Sequence, residues 1–383
     1  MLSQSKLPIR ILHVVGSMNR GGLETWLMHI LRHIDRNLFQ MDFLVSTTQQ
    51  CPYDEEIRAL GSKIIPCINP SKPWLYAHNF RRIMQEYGPY DIIHSHVHHF
   101  SGYVLYLAQK AGVHMRIAHS HIDSSPLEAN SGLRRRLYLS LMKSMITRYA
   151  TVGLGCSNVA SADLFGKNWE RDRRWQILYC GIDMTPFEKP VDTLQIRSEF
   201  GIKDNAFVVG HVGRFMEQKN HQFLIEVFME VLKREPKSYL LLIGDGPLQS
   251  NIKQLVVKMG LSDKVIFTGT RSDIPKLMMG AMDVFVLPSL SEGLPVVGIE
   301  SQCAGLPSIM SSVITDELDK IKSLVHKINL LQPAKKWADA IFAAHKIKLT
   351  ICQTHTLAIL KNSDFNIIHN VKAIEKIYAN AHL

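Results

Sequence analysis

Short apolar runs alternate with polar or amphipathic stretches along most of this chain. Ile9–Val15, Phe43–Ser46, Ile64–Cys67 and Asp91–His94 read as brief strands, mostly apolar and bounded by turn residues, as strands enclosed on both faces are. Thr25–Leu31 has the spacing of a helix, and polar or helical stretches fill the other gaps. Thr151–Ser157 adds a further strand. The rhythm then restarts with Phe207–Val212, Tyr239–Ile243, Val265–Thr268 and Val284–Leu287, and with a helix over His221–Lys233. Strand and helix in strict alternation predict open parallel sheets covered on both faces. Past Ile309 the pattern weakens: Ser311–Lys327 alternates charged and apolar residues, and Trp337–His345 reads as helical. Phe365–Tyr378, with Ile367, Ile368, Val371, Ile374 and Ile377, predicts a final amphipathic helix.

At 383 residues the chain exceeds a usual single domain, so the two runs of alternation are read as two domains. The segment Ile177–Asp183, leading to Pro186 and Pro190, separates them. A 46% hydrophobic share is that of an ordinary globular protein. No apolar run approaches the ~18 residues of a membrane span. The run after Lys6 is short and enters a glycine loop, which predicts a first strand rather than a signal peptide. Cys51, Cys67, Cys156, Cys180, Cys303 and Cys352 are scattered without Cys-x-x-Cys spacing, which suits structural thiols in a reducing cytoplasm. The net charge of +10 fits nucleic acid, an anionic membrane surface or a phosphate-bearing substrate. No helix-turn-helix, zinc-finger or aromatic RNA-binding signature is present, so nucleic acid is not expected as a partner.

Several stretches carry chemistry. Pro288–Pro307 follows an apolar strand and reads as a glycine-containing loop and a short helix, with Pro295 at its first position, Gly305 just past its end and Pro307 as its stop. Such a helix offers unpaired N–H groups around Gly293 and Leu294 to a phosphate oxygen. Glu292 and Glu300 flank that point and suit acceptance of hydrogen bonds from sugar hydroxyls. Arg214 and Lys219 lie between a strand and a helix, where a guanidinium and an ammonium can grip a diphosphate. Gly16–Glu24, including Gly21 and Gly22, opens a Rossmann-like unit without the full dinucleotide fingerprint. His94, His96, His98, His99, His119 and His121 gather at two strand ends, without the carboxylates or thiolates of a usual zinc site. Leu133, Leu137, Leu141 and Ile146 recur at helical spacing among Arg134, Arg135, Arg136, Lys143 and Arg148. Residues 133–149 therefore fit either a helix on an anionic membrane or a solvated helix with a buried stripe.

Ser-Glu-Gly-Leu-Pro, then Glu300, then Ala-Gly-Leu-Pro resembles the nucleotide-sugar signature of family-four retaining glycosyltransferases, and among these the EpsF-like subgroup of exopolysaccharide assembly. Gly213–Asn220 resembles the family's diphosphate motif with Asn220 for the second Gly, and Cys180–Asp183 its hinge segment with Cys180 for Asn. The resemblance spans essentially the whole chain. It implies the α/β GT-B fold: two doubly wound Rossmann-like domains facing each other across a cleft. Residues 1–186 would bind the acceptor, joined by a returning helix at 365–383, and 187–364 would bind the nucleotide sugar.

The resemblance also implies roles. His121, or His119 in its place, would touch the donor sugar near the reaction centre together with Glu292. Gly22, Arg214, Lys219, Gly293 and Leu294 would hold the diphosphate, Glu300 the ribose and Arg271 the base. His96 and His98 would line the acceptor side. The implied reaction is a retaining transfer from a nucleotide diphosphate sugar, UDP-linked above all, to a saccharide or lipid-linked acceptor. It would need no metal or other cofactor, in keeping with the lack of an Asp-x-Asp motif, and would take place in the cytoplasm or on the inner face of the plasma membrane. Rival readings are a UDP-sugar 2-epimerase of the same fold, which needs no acceptor, and a non-catalytic nucleotide-sugar-binding subunit.

Overall fold

The computed structural model describes residues 7–128, 131–348 and 351–382. It comprises two compact units, Met1–Gly181 with Ile367–Leu383, and Ile182–Asn366. The chain thus passes between units at Gly181/Ile182 and Asn366/Ile367, where the sequence suggested 186/187 and 364/365.

The first unit holds a seven-stranded sheet: β1 (Ile9–Val15), β2 (Phe39–Val45), β3 (Ile64–Pro66), β4 (Ile92–Ser95), β5 (Met115–Ser120), β6 (Val152–Gly155) and β7 (Trp175–Ile177). All pairings are parallel, in the order β3-β2-β1-β4-β5-β6-β7. On one face Leu12, Val14, Ile93 and Ala118 pack with Tyr76, Phe80, Leu105 and Ile146 from covering helices. The helix Ile367–Ala379 returns to this unit and packs against the helix Gly22–His33.

Strand β2 begins four residues before the predicted Phe43, because Gln40 and Asp42 break the apolar pattern. Asp42 is nonetheless fully buried, accepting hydrogen bonds from the Lys63 backbone N–H (2.8 Å) and the Tyr90 hydroxyl (2.9 Å). A buried carboxylate is tolerated when its lone pairs are satisfied in this way.

The second unit holds β8 (Val208–Val212), β9 (Tyr239–Ile243), β10 (Val265–Gly269), β11 (Val284–Leu287), β12 (Ser308–Ser311) and β13 (Val325–Ile328). They run parallel in the order β10-β9-β8-β11-β12-β13. Val209, Leu240, Leu242, Val284 and Val286 pack with Leu224, Phe228, Trp337 and Ile341. In both sheets the strand order reverses beside the first strand, between β1 and β4 and between β8 and β11. Open parallel sheets take ligands beyond the carboxyl ends of their strands at such reversals.

The helix Leu133–Tyr149 buries Met142 and Ile146. Leu133, Leu137 and Leu141 instead stand on its outer face, 74%, 63% and 57% exposed. The leucine stripe is therefore an open ridge rather than part of the core.

Candidate functional site

In the second unit the loops after β8, β9 and β11 are tied into one platform by backbone bonds. Phe215 N–H donates to the Asp245 carbonyl (3.0 Å) and Leu290 N–H to the Gln218 carbonyl (2.8 Å). The Gln218 side-chain amide donates to the Ser291 carbonyl (2.6 Å). Gly244 has φ +137°, and a Cβ there would lie 2.2 Å from the Gly213 carbonyl oxygen, so the close approach of the two loops requires glycine. Asn220 adopts the left-handed conformation (φ 54°), which explains how Asn can replace Gly at that point of the motif.

This platform presents Arg214, Lys219, Glu292 and Glu300. Arg214 is exposed, and no carboxylate among the described residues pairs with it. The Lys219 ammonium meets Glu292 at 2.5 Å, with only 17% and 9% of the two side chains exposed. Glu300 lies in the helix Val296–Cys303, its carboxylate without a hydrogen-bond partner among the described residues. Burial pushes its carboxyl up to about 7.

Three details differ from the sequence reading. Pro295 is the N-cap rather than the first helical residue, so the first-turn N–H groups belong to Val296 and its successors, while Gly293 and Leu294 lie in the loop before it. Gly305, with φ +64°, does end the helix in the left-handed conformation. Arg271 is committed elsewhere: Nε and Nη2 bind Asp273 at 2.8 and 2.7 Å, and Nη1 binds Glu199 at 2.7 Å. Its guanidinium is a clamp on these two carboxylates rather than a free reader of a base.

In the first unit Gly22 opens the helix Gly22–His33 at the end of β1, with open space where a Cβ would stand. Around the reversal between β1 and β4 the histidines form a chain. His121 Nε2 is 2.9 Å from His96 Nδ1, and His96 Nε2 is 3.0 Å from His13 Nδ1. His94 Nε2 is 3.1 Å from His119 Nδ1, and His94 Nδ1 is 2.7 Å from the Tyr378 hydroxyl. Desolvation lowers the pKa of every ring, to about 3 for His13 and His121, so all five are held neutral. Trp26 packs edge-on to His119, and its indole N–H donates to Asn370 (2.6 Å).

His96, assigned to the acceptor side, is buried with both ring nitrogens engaged, so it supports His121 instead of meeting an acceptor. His98 is half-buried in a left-handed conformation (φ 49°), with Nε2 3.0 Å from Ser124 Oγ and 3.1 Å from Asp163 Oδ2. Burial alone would raise the Asp163 carboxyl, but hydrogen bonds from His98 and Ser124 outweigh it and hold the group well below the carboxylate range.

Three groups bring potential metal-ligating atoms within 4.8 Å of one another: His13, His94 and His96; His96, His119 and His121; and His98, His99 and Asp163. In the first two the ring nitrogens mainly bind one another. His13, Tyr378, Asn370 and Asp163 join this site from outside every motif of the sequence. Only His13 left a signal, a polar residue inside the apolar run Ile9–Val15.

Glycosyl transferases group 1 matches residues 192–344, and Glycosyltransferase Family 4 matches residues 20–185. EpsF of Bacillus subtilis, described as a glycosyltransferase, is 38% identical over 339 residues, 88% of this chain and 87% of EpsF. The UDP-Gal:alpha-D-GlcNAc-diphosphoundecaprenol alpha-1,3-galactosyltransferase of Escherichia coli is 35% identical over 137 residues, 35% of each chain. Anabaena HepE, crystallised with UDP and glucose, shares the fold at a TM-score of 0.79 and 20% identity, covering 97% of this chain and 100% of HepE. Paired parallel sheets, the two matched regions and the extended likeness to EpsF agree: the chain belongs to the family-four glycosyltransferases and has the GT-B fold.

Proposed function

We propose that this protein is a retaining glycosyltransferase that moves a sugar from a UDP-sugar to a saccharide or lipid-linked saccharide during synthesis of exopolysaccharide or another cell-surface glycan. The observation that carries this reading is the placement of Arg214, Lys219, Glu292 and Glu300 on one platform at the strand-order reversal of the second sheet. As the bond from the anomeric carbon to the diphosphate breaks, negative charge grows on the leaving oxygen. Arg214 and Lys219 stabilise that charge without a metal ion. Glu292 accepts from sugar hydroxyls and eases the positive charge on the ring, and Glu300 accepts from the ribose. The acceptor oxygen bonds to the same face of the anomeric carbon, and its proton passes to the leaving phosphate. The likeness to EpsF supports the reaction class, the name of the galactosyltransferase the substrate class, and HepE's bound UDP the base.

Thermal shifts with UDP, GDP, ADP and their sugars test the donor, since a ligand at 100 times its Kd adds about 2.7 kcal/mol. Product NMR then reads the linkage configuration. An inverted product, dependence on added divalent ion, or steady product formation without acceptor would each overturn the corresponding part of the reading.

Glu300 makes nucleotide binding depend on pH. Its carboxylate form accepts from the ribose, so affinity is expected to rise as the pH passes from 6 to 8, through its value of about 7. Glu300→Gln should flatten that profile in titration calorimetry; an unchanged slope in the variant would remove Glu300 from the ribose site.

The Leu133, Leu137 and Leu141 ridge, flanked by Arg134, Arg136 and Arg148, supports a peripheral location on an anionic membrane. Co-sedimentation with phosphatidylglycerol vesicles is expected, weakened by salt and at least ten-fold by Leu137→Glu. Equal binding by the variant would exclude this helix as the contact.

A further inference from the structure

The histidine chain of the first unit has a direction. A neutral imidazole has one N–H and one bare nitrogen, so rings linked nitrogen to nitrogen must all donate the same way along the chain. Tyr378 sets which way. Its hydroxyl is 2.7 Å from His94 Nδ1 but 3.5 Å from His13 Nε2, so the phenolic proton goes to His94. His94 then carries its proton on Nε2 and donates to His119 Nδ1, which leaves the His119 proton on Nε2. That nitrogen finds no partner of good geometry among the described residues, while the Leu178 backbone, whose carbonyl can only accept, lies beside the ring.

On the other side of the phenol the same rule holds. The Tyr378 oxygen is left as acceptor, so His13 donates to it from Nε2 and accepts at Nδ1 from His96 Nε2–H. His96 accepts at Nδ1 from His121 Nε2–H. His121 Nδ1 is then bare and faces the Cys180 thiol at 3.6 Å, which can donate to it. The phenol and the Leu178 carbonyl, from separate segments, thus agree on one direction, and the thiol is compatible with it.

We propose that the chain from Cys180 through Tyr378 to His119 fixes its five imidazoles as Nε2–H tautomers and thereby presents His121 Nδ1 as a hydrogen-bond acceptor for a hydroxyl of a saccharide ligand. The second half of this statement rests on the proposed glycosyltransferase function. The thiol contact is the longest link to His121 and a weak one. A sugar hydroxyl can replace it while every other bond stays in place. In this scheme His13, His96 and Tyr378 are positioning residues and do not touch the sugar. A reversed chain would turn His121 Nδ1 into a donor and favour a different hydroxyl geometry.

Nitrogen-15 NMR of the full chain labelled at histidine reads which ring nitrogens carry protons. The expected result at pH 7.5 is Nε2–H at His13, His94, His96, His119 and His121. Tyr378→Phe removes the link that sets direction. The segment from His13 to His121 should then populate the reversed form, with Nδ1–H appearing at His121. Nδ1–H at His121 in the unmodified protein would overturn the proposal, as would an unaltered His121 tautomer in folded Tyr378→Phe. Stoichiometric uptake of Co²⁺ by these rings would also overturn it, because each bound metal takes a lone pair that the chain needs. Adding UDP-glucose separates the two halves of the statement: movement of the His121 Nδ1 signal supports its contact with a saccharide hydroxyl. Intact Nε2–H tautomers without such movement would overturn only the saccharide-facing half.

Discussion

Lowering the pH from 7 to 5.5 is expected to destabilise the fold by several kcal/mol, a large share of the 5–15 kcal/mol typical of native proteins. The cause is the buried histidine chain. Each of its five rings has a folded pKa well below the ordinary 6.5, so the unfolded chain takes up protons that the native state refuses. Stability from these groups is therefore present above about 6.5 and is lost as the pH falls toward their folded values, about 3 for His13 and His121. Over this interval each ring contributes on the order of 1 kcal/mol. Glu300 acts in the opposite sense. Its raised value means that acid relieves its burial, by about 2 kcal/mol over the same interval. The buried His99, His211 and His221, also depressed, more than offset that gain. Urea unfolding followed by circular dichroism at the two pH values checks the sum, and equal midpoints would rule out burial of these rings as neutral groups.

Lys219→Ala is expected to reduce turnover by about 10²–10³, the usual cost of removing one charge-stabilising group from a transition state. It also leaves Glu292, of which only 9% is exposed, without its cation, so some of the loss will be structural. The double variant Lys219→Met, Glu292→Gln separates the effects, because it removes both charges and should recover thermal stability without recovering turnover. Recovery of both would mean that the pair only holds the loops together. Arg214→Ala is the cleaner probe of the diphosphate. Its side chain is exposed and no described carboxylate depends on it, so Tm should stay constant while nucleotide affinity falls by about ten- to a hundred-fold. Turnover and affinity matching the unmodified protein in both single variants would remove the proposed phosphate grip.

Most of the sheet framework was legible because parallel strands covered on both faces are nearly continuous apolar runs. The shortest and most polar strands were not. β12 carries Ser308 and Ser311, which are buried because their hydroxyls donate to the Leu306 and Ser289 carbonyls, a compensation that local pattern cannot reveal. β7 and β13 were hidden because Gln176 in one and His326 with Lys327 in the other break runs of only three and four residues. Residues of the candidate donor platform could be named because each stands near a glycine or proline that marks a strand-to-helix turn. Their partners could not. That Arg271 is clamped by Glu199, far away in sequence, is a fact of packing. The same holds for Tyr378 and His94, joined across most of the chain. Leu133, Leu137 and Leu141 show the limit of periodicity itself, which finds an apolar stripe but not whether anything covers it.

The returning helix Ile367–Ala379 carries a consequence for biosynthesis. Trp26, His13 and His94 emerge from the ribosome well before Asn370 and Tyr378, their hydrogen-bonding partners, with the whole second unit made in between. The first unit must therefore wait, with polar groups unmatched, until the second unit has been translated. A polypeptide terminated before Ile367 would retain every strand of both sheets yet expose that vacancy to quality control.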